Sequence, residues 1–433
     1  MAEAARTVRH YVSDCLQERH PYDVEKGFAG RPNRDIGLVY NGLQPHTAGD
    51  WIASLSDPAV GSLQRRRAVR LLIAHSASQE AKIKLLRMNV VPAVVAALIT
   101  TPCAEFECQV FALLRSLCII SQGCHVVMEE GGLEAAIRSI QDRRNLAERA
   151  EARAAAAQVL YQISFNAAGV RWLLGAEVPP GFELMDPIPS SSKCVFGKKD
   201  VIAALVFILE NDSATNRKMF LHAVTCLGQL TTQTEGIFAA MEGRAVHAVS
   251  SLLHGYVENG FDSSDDDVVS ALLVVVTNVS LEQTGVELVD ELNTPTDVCT
   301  LVGKYYSDPQ PASYPLLRSL TSALSAVYKL LSMKMNSMTV LTNGFSRILV
   351  IYKFLHKIND VVTAAKHAGR EPHPDVIAIS KNLVLSTHFA MEVKDVRTFT
   401  HSYLSKLDKK EAFYFRRQLF YSTQWEGEFD AAV

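Results

Sequence analysis

Six apolar segments recur along the chain in one internal pattern: LLIA from Leu71, LRSL from Leu114, LYQI from Leu160, LGQL from Leu227, VTNV from Val276 and YKLL from Tyr328. A weaker seventh starts at Val384, and successive starts lie 43, 46, 67, 49, 52 and 56 residues apart. Around each start apolar residues fall four before and three after, as in Val110, Leu114 and Leu117, or Leu272, Val276 and Val279. That is the period of a helix with one buried stripe. A repeat of this length constrains the fold more than any single motif, because one such helix cannot bury its stripe alone and neighbouring units must stack.

A second register supports the first. A turn signal falls 16 to 18 residues after nearly every start, at Asn89, Gly131, Glu177, Gly243, Asn293 and Gly344. It is followed by another apolar helix, such as VPAVVAALI from Val91, LEAAIRSI from Leu133, AVHAVSSLL from Ala245 or FSRILVIYKFL from Phe345. The unit predicted is a long helix, a short helix such as QGCHVVMEEGG, a tight turn and a third helix. Composition agrees: 433 residues exceed one core, and glycine (23) with proline (16) is too sparse for a sheet protein with frequent turns. The expected fold is all-α, a right-handed α-solenoid of about seven degenerate repeats with extended N- and C-terminal arms. Its domains are an N-terminal helix and strap over 1–46, repeats over 47–407 with a loop inserted at 175–199, and an aromatic-rich arm or cap over 408–433.

The runs from Phe111 to Ile140 and from Ala223 to Leu253 resemble armadillo repeats, three-helix units of about 40 to 47 residues. The likeness covers roughly Ala48 to Leu407 and is weakest at both ends. HEAT repeats are the alternative, and the recurring short helix and turn favour armadillo.

Charge and motifs narrow the function. With 43 basic and 46 acidic residues the net charge is −3, so no global field attracts nucleic acid. The longest apolar-rich run, Val268 to Leu281, is too short to span a bilayer and contains Ser270, Thr277, Asn278 and Ser280. The N-terminus lacks an apolar signal core, and the chain reads as soluble and intracellular. Eight scattered cysteines with no CxxC pair read as small buried residues. No phosphate loop, HExxH or GxSxG is present, and the histidines form no metal-ligand spacing. The expectation is a protein that is not an enzyme, with no catalytic residues, no cofactor, no metal, no small-molecule substrate, no nucleic acid and no membrane contact. Its partners are other proteins within a larger assembly.

Three segments depart from the repeat. After Leu174 a stretch rich in proline and serine, including Pro179, Pro180, Pro187 and Pro189, forbids regular structure. It is either a partner contact on one edge or a tolerated surface loop. The acidic run Asp262 to Asp267 is expected to cap the following helix rather than bind a cation. The last 26 residues hold seven aromatics with Arg416 and Arg417 among them. Phe413, Tyr414, Phe415, Arg416, Arg417, Phe420, Tyr421 and Trp425 either dock a partner, since aromatics and arginine supply interface hot spots, or cap the last repeat.

The armadillo likeness implies a groove lined by the long helices, in which an asparagine near each helix end holds extended peptide backbone. The matching positions, two after each start, are Ile73, Ser116, Gln162, Gln229, Asn278 and Leu330. The groove candidates are therefore Ser116, Gln162, Gln229 and Asn278. The tryptophan ladder of nuclear-import receptors is replaced by Val69, Ala112, Gln158, Thr225, Val274 and Ala326, which disfavours a receptor for basic localisation peptides. The layout of strap, degenerate repeats and no low-complexity tail resembles the armadillo-repeat protein of ciliary radial spokes. That likeness implies an axonemal location and a static structural role. A soluble regulatory adaptor is the alternative.

Overall fold

The apolar stripes and local caps read from the sequence produce helices throughout. A computed structural model describes residues 47–101, 103–143, 148–175, 198–212, 216–260, 264–307, 314–333, 354–355, 357–392 and short stretches between 398 and 413. The elements are α1 (Ala48–Ser56), α2 (Ser62–His75), α3 (Gln79–Arg87), α4 (Val90–Thr100), α5 (Ala104–Leu117), α6 (Ser121–Glu129) and α7 (Gly132–Gln141). They continue as α8 (Ala150–Ser164), α9 (Ala167–Leu173), α10 (Lys198–Asn211), α11 (Arg217–Leu230), α12 (Thr234–Glu242) and α13 (Ala245–Asn259). The last are α14 (Asp266–Val279), α15 (Gln283–Glu291), α16 (Thr294–Ser307), α17 (Tyr314–Met333) and α18 (Pro374–Glu392). No strand occurs among the described residues.

The chain forms two compact bodies, divided between Ala135 and Ala136 within α7. In the first, α2 packs on α5 and α3 on α6. In the second, the long helices α8, α11, α14, α17 and α18 pack each on the next, and α10, α13 and α16 do the same. This is the stacking of an α-solenoid, with each stripe closed by the neighbouring unit. Leu114, Leu160 and Leu227 are fully buried and Val276 is nearly so. The first unit corrects the sequence register by one residue, since Leu72 is buried and Leu71 is only half-buried. One step turns a helix by about 100°, and with leucine at both positions only the neighbouring helix decides which faces inward.

With Leu72 as anchor the frame tightens. A residue in the left-handed conformation lies seventeen positions after four anchors: Leu72 to Asn89, Leu114 to Gly131, Leu227 to Arg244, and Val276 to Asn293. Arg244 (φ 61°), and not Gly243, makes the fourth turn. Gly243 serves a different need, because a Cβ there would lie 2.4 Å from Ile202 Cγ2. Glu177 and Gly344 lie outside the described residues; the unit with the insertion turns at Gly175 (φ 77°).

A third register went unread in the sequence. Each of four short helices carries glycine at its third residue, nine after the anchor: Gly123, Gly169, Gly236 and Gly285. A Cβ at these sites would sit 1.9 to 2.2 Å from the carbonyl oxygens of Leu117, Ile163, Leu230 and Val279 respectively. The short helix thus crosses directly over the end of the long helix. The residues four after each anchor are correspondingly small and almost wholly buried: Ser76, Cys118, Ser164, Thr231 and Ser280.

Two buried arginines, each seven before its anchor, seal helix ends. Arg65 Nη1 donates to Thr100 Oγ1 (2.7 Å) and Thr101 Oγ1 (2.8 Å), and its Nη2 to Asp57 O (2.8 Å). Arg153 forks onto both oxygens of Asp212 (2.8 and 2.6 Å), donates from Nε to Ile140 O (3.0 Å) and stacks on Phe207. A guanidinium against terminal carbonyls satisfies acceptors that have no helical partner and complements the helix dipole. Of the acidic run before α14, Asp266 and Asp267 lie in the helix's first turn, where they oppose its dipole as expected, but the side-chain cap does not form. Asp265, at the cap position, makes no cap hydrogen bond and pairs with Arg217 of α11.

Two outcomes follow from this packing. Gly236→Ala should lower the melting temperature, corresponding to a loss of about 1–3 kcal/mol from overpacking. Gly255→Ala, where a Cβ meets nothing within 4 Å, should raise stability by up to about 1 kcal/mol through helix propensity. A third outcome concerns pH. His254 of α13 faces Asp297 of α16 through Nδ1 (3.2 Å) and Glu258 through Nε2 (3.2 Å). The hydrogen bond and charge of Asp297, then Glu258, raise its pKa above the ordinary 6.5. A raised folded-state value means the bridge contributes fully below 6.5 and is lost as pH rises through that value. His254→Gln should remove this part of the pH dependence, measured as melting temperature across pH 5 to 9.

Candidate functional site

The second body leaves one side of its long helices uncovered. On α8 the unburied positions include Tyr161, Gln162 and Phe165; on α11, His222, Thr225 and Gln229; on α14, Val274, Thr277 and Asn278, with Leu281 just beyond. Within each set there are pairs three or four residues apart, as Tyr161 and Phe165, His222 and Thr225, Thr225 and Gln229, and Val274 with Thr277 and Asn278, so each set forms one face. Phe165 is 54%, Val274 42% and Leu281 62% exposed. Tyr161 packs its ring on Phe165 (centroids 4.6 Å) and on His222 of the next helix (4.4 Å). Val274 approaches α11 over Gly228, where a Cβ would lie 3.4 Å from its Cγ1. The face is therefore continuous across three helices.

Three sequence-predicted residues, Gln162, Gln229 and Asn278, occupy the same position on these helices, two after the anchor. Their chemistry differs. Asn278 Nδ2 donates to Gly228 O (2.9 Å) and to Thr231 Oγ1 (3.2 Å), so its donors are spent on the preceding unit. Ser116 does the same in the first body, where its hydroxyl shares a hydrogen bond of 2.9 Å with Ser76. In both pairs the second member sits four after its own anchor. Asn382 of α18 makes a related tie to Thr321 Oγ1 (3.3 Å), which sequence reasoning missed. Gln162 and Gln229 are half-buried, and their side-chain amides have no partner among the described residues. Of the four groove candidates, these two alone keep both amide donors and an acceptor open to a bound chain.

The hydroxyls nearby turn inward. Thr225 Oγ1 donates to Leu221 O and Thr277 Oγ1 to Leu273 O, both at 2.8 Å. Beneath the face Cys226 is buried; in the first body Cys118 and Cys124 are buried too, while Cys103 and Cys108 are only half-buried, which corrects the expectation for those two. Burial pushes Cys226 up to about 12, and Cys118 is raised well above the ordinary thiol range by burial and by its neighbour Cys124. Such thiols stay protonated and are not nucleophiles at neutral pH. Among the described residues no group of three or more His, Cys, Asp or Glu side chains converges as for a metal ion, and no single helix is long and apolar enough to cross a membrane.

Of the C-terminal candidates, Phe413 is described and 68% exposed. Tyr414, Phe415, Arg416, Arg417, Phe420, Tyr421 and Trp425 lie outside the described residues, as do 1–46 and 176–197. Pro374 is the first residue of α18.

No protein-family model and no curated protein matches the chain. Solved structures do. A designed armadillo repeat protein is 15% identical, covering 65% of this chain and all of its own, at a TM-score of 0.47. A second, solved in complex with the peptide (KR)4, is 14% identical over 65% of this chain and all of its own, at 0.48. An engineered protein is 14% identical over 65% of this chain and 97% of its own, at 0.49. The chain has an armadillo-like repeat fold, and its own succession of long helix, short helix, left-handed turn and third helix carries that assignment. Solenoids of this class offer extended binding surfaces.

The two kinds of polar residue in the row should separate on mutation. Asn278→Ala should cost about 1–2 kcal/mol, because it removes two donors from part-buried acceptors. Gln229→Ala should leave stability within about 0.5 kcal/mol, as for a partner-free side chain. Denaturant midpoints of the two variants test this.

Proposed function

We propose that the protein is a non-catalytic interaction scaffold that holds an extended segment of another protein across the uncovered faces of α8, α11 and α14. The observation that carries this reading is the pair of amides without partners among the described residues, Gln162 and Gln229, set at one helical position on adjacent helices beside half-buried Tyr161 and exposed Phe165. Side-chain amides can pair with both groups of a passing peptide bond, and the aromatic surface supplies apolar area. The aromatic, arginine-containing segment from Asp408 to Val433 is a second contact in the same assembly.

The sequence layout of strap, degenerate repeats and no low-complexity tail supports the reading that this scaffold belongs to a permanent assembly, the ciliary axoneme. A static component resists extraction at high salt. A regulatory adaptor is released and exchanges partners.

Deleting Asp408 to Val433 should detach the protein from its native complex with little change in melting temperature. A large loss of stability with binding retained would make that segment a cap. The double variant Gln162→Ala/Gln229→Ala should fold normally and lose partner affinity by about tenfold or more, on the order of 1.4 kcal/mol. Affinity purification of each variant at low and high salt provides both readouts.

A further inference from the structure

We infer that the segment held on the α8, α11 and α14 face is uncharged where it touches that face, and is bound through apolar or aromatic side chains and its own backbone. This rests on the scaffold reading above and gives the partner a chemistry.

The residues from 154 to 165, from 219 to 234 and from 268 to 281 contain no Asp, Glu, Lys or Arg, against 21% over the whole chain. These stretches form most of three successive long helices and the turns after them. Full burial of the inner faces explains the absence there. It does not explain the outer positions, which water reaches and where a solenoid helix ordinarily carries charge. In their place stand Tyr161, Gln162 and Phe165 on α8, Gln229 on α11, and Val274 and Leu281 on and just after α14. Charge returns at the margins: Glu151 at the start of α8, Lys218 at the start of α11, Asp266 and Asp267 at the start of α14, and Arg318 and Lys329 on α17. The neutral area is thus bounded.

A lysine or arginine laid on this face would give up water and meet no carboxylate, and an acidic side chain would meet no lysine or arginine, only the imidazole of His222. Each such burial costs several kcal/mol without a compensating pair. An apolar or aromatic side chain instead covers Phe165, Val274 and Leu281 and gains about 25 cal/mol per Å² removed from water. The hydroxyl protons of Thr225 and Thr277 are turned to their own helices, so polar recognition falls to Gln162 and Gln229. Their amides suit peptide groups and discriminate against neither sign of charge.

The test begins with the full chain carrying the photo-crosslinker p-benzoylphenylalanine in place of Thr225, at the middle of the face. Irradiation of the native complex, followed by mass spectrometry, identifies the partner segment in contact. That segment is made as a labelled peptide and titrated against the native protein, Thr225→Glu and Thr225→Lys. The expected segment lacks Asp, Glu, Lys and Arg around the crosslink. Both charge insertions should then weaken binding by about tenfold or more, and affinity should change less than about twofold between roughly 50 and 500 mM salt, since no ion pair is screened.

A charged crosslinked segment would overturn the inference and leave the scaffold reading intact. So would opposite effects of the two substitutions, with one sign tightening and the other weakening. Absence of any crosslink at Thr225 in a complex that remains assembled would overturn both.

Discussion

In the second body the long helices are buried each against the next, α8 on α11, α11 on α14, α14 on α17 and α17 on α18, and this mutual closure is the constraint on which the rest depends. It explains why the anchors Leu160, Leu227 and Val276 are at most 1% exposed although they lie 67 and 49 residues apart in sequence. Burial of a leucine-sized side chain contributes about 1.5–3 kcal/mol, a gain that neither helix could realise alone. The short helices meet the same requirement from the end of the stack. Four of them, α6, α9, α12 and α15, cross so near the last turn of the preceding long helix that glycine is required where they touch it, and the residue four after the anchor is small.

The same closure decides what remains free. A helix packed on both flanks and beneath retains a single uncovered strip, and on α8, α11 and α14 these strips adjoin. Some polar groups in the strip serve the stack itself, as Asn278 does by reaching to Gly228 and Thr231. Others, Gln162 and Gln229, have no side-chain partner among the described residues. Binding capacity is accordingly what the stacking contacts leave over, and two amides at equivalent positions can have opposite roles.

Much of the architecture was legible from spacing. The 3.6-residue period set the long helices, and Asn89, Gly131 and Asn293 marked the left-handed turns because asparagine and glycine tolerate positive φ. The register failed where two residues of one type stood side by side, at Leu71 and Leu72, and where a glycine had a packing role in place of a turning one, at Gly243. The glycines at 123, 169, 236 and 285 were visible in the sequence at constant spacing. Their meaning was not, because a glycine in a short helix reads as a weakness until the helix that presses on it is located.

By itself the sequence determined that this chain is helical, repetitive and built to stack, and that charge is missing from three of its long helices beyond their first turn. Those properties follow from residue order, since periodicity and composition act within one turn of a helix. Only the tertiary structure decided which face of each helix is closed, that Ser116 and Asn278 tie one unit to the last, and that Gln162 and Gln229 are left unpartnered on a common surface. Such contacts join residues 40 to 50 positions apart. They depend on the angle and separation at which two helices pack, which no local pattern encodes.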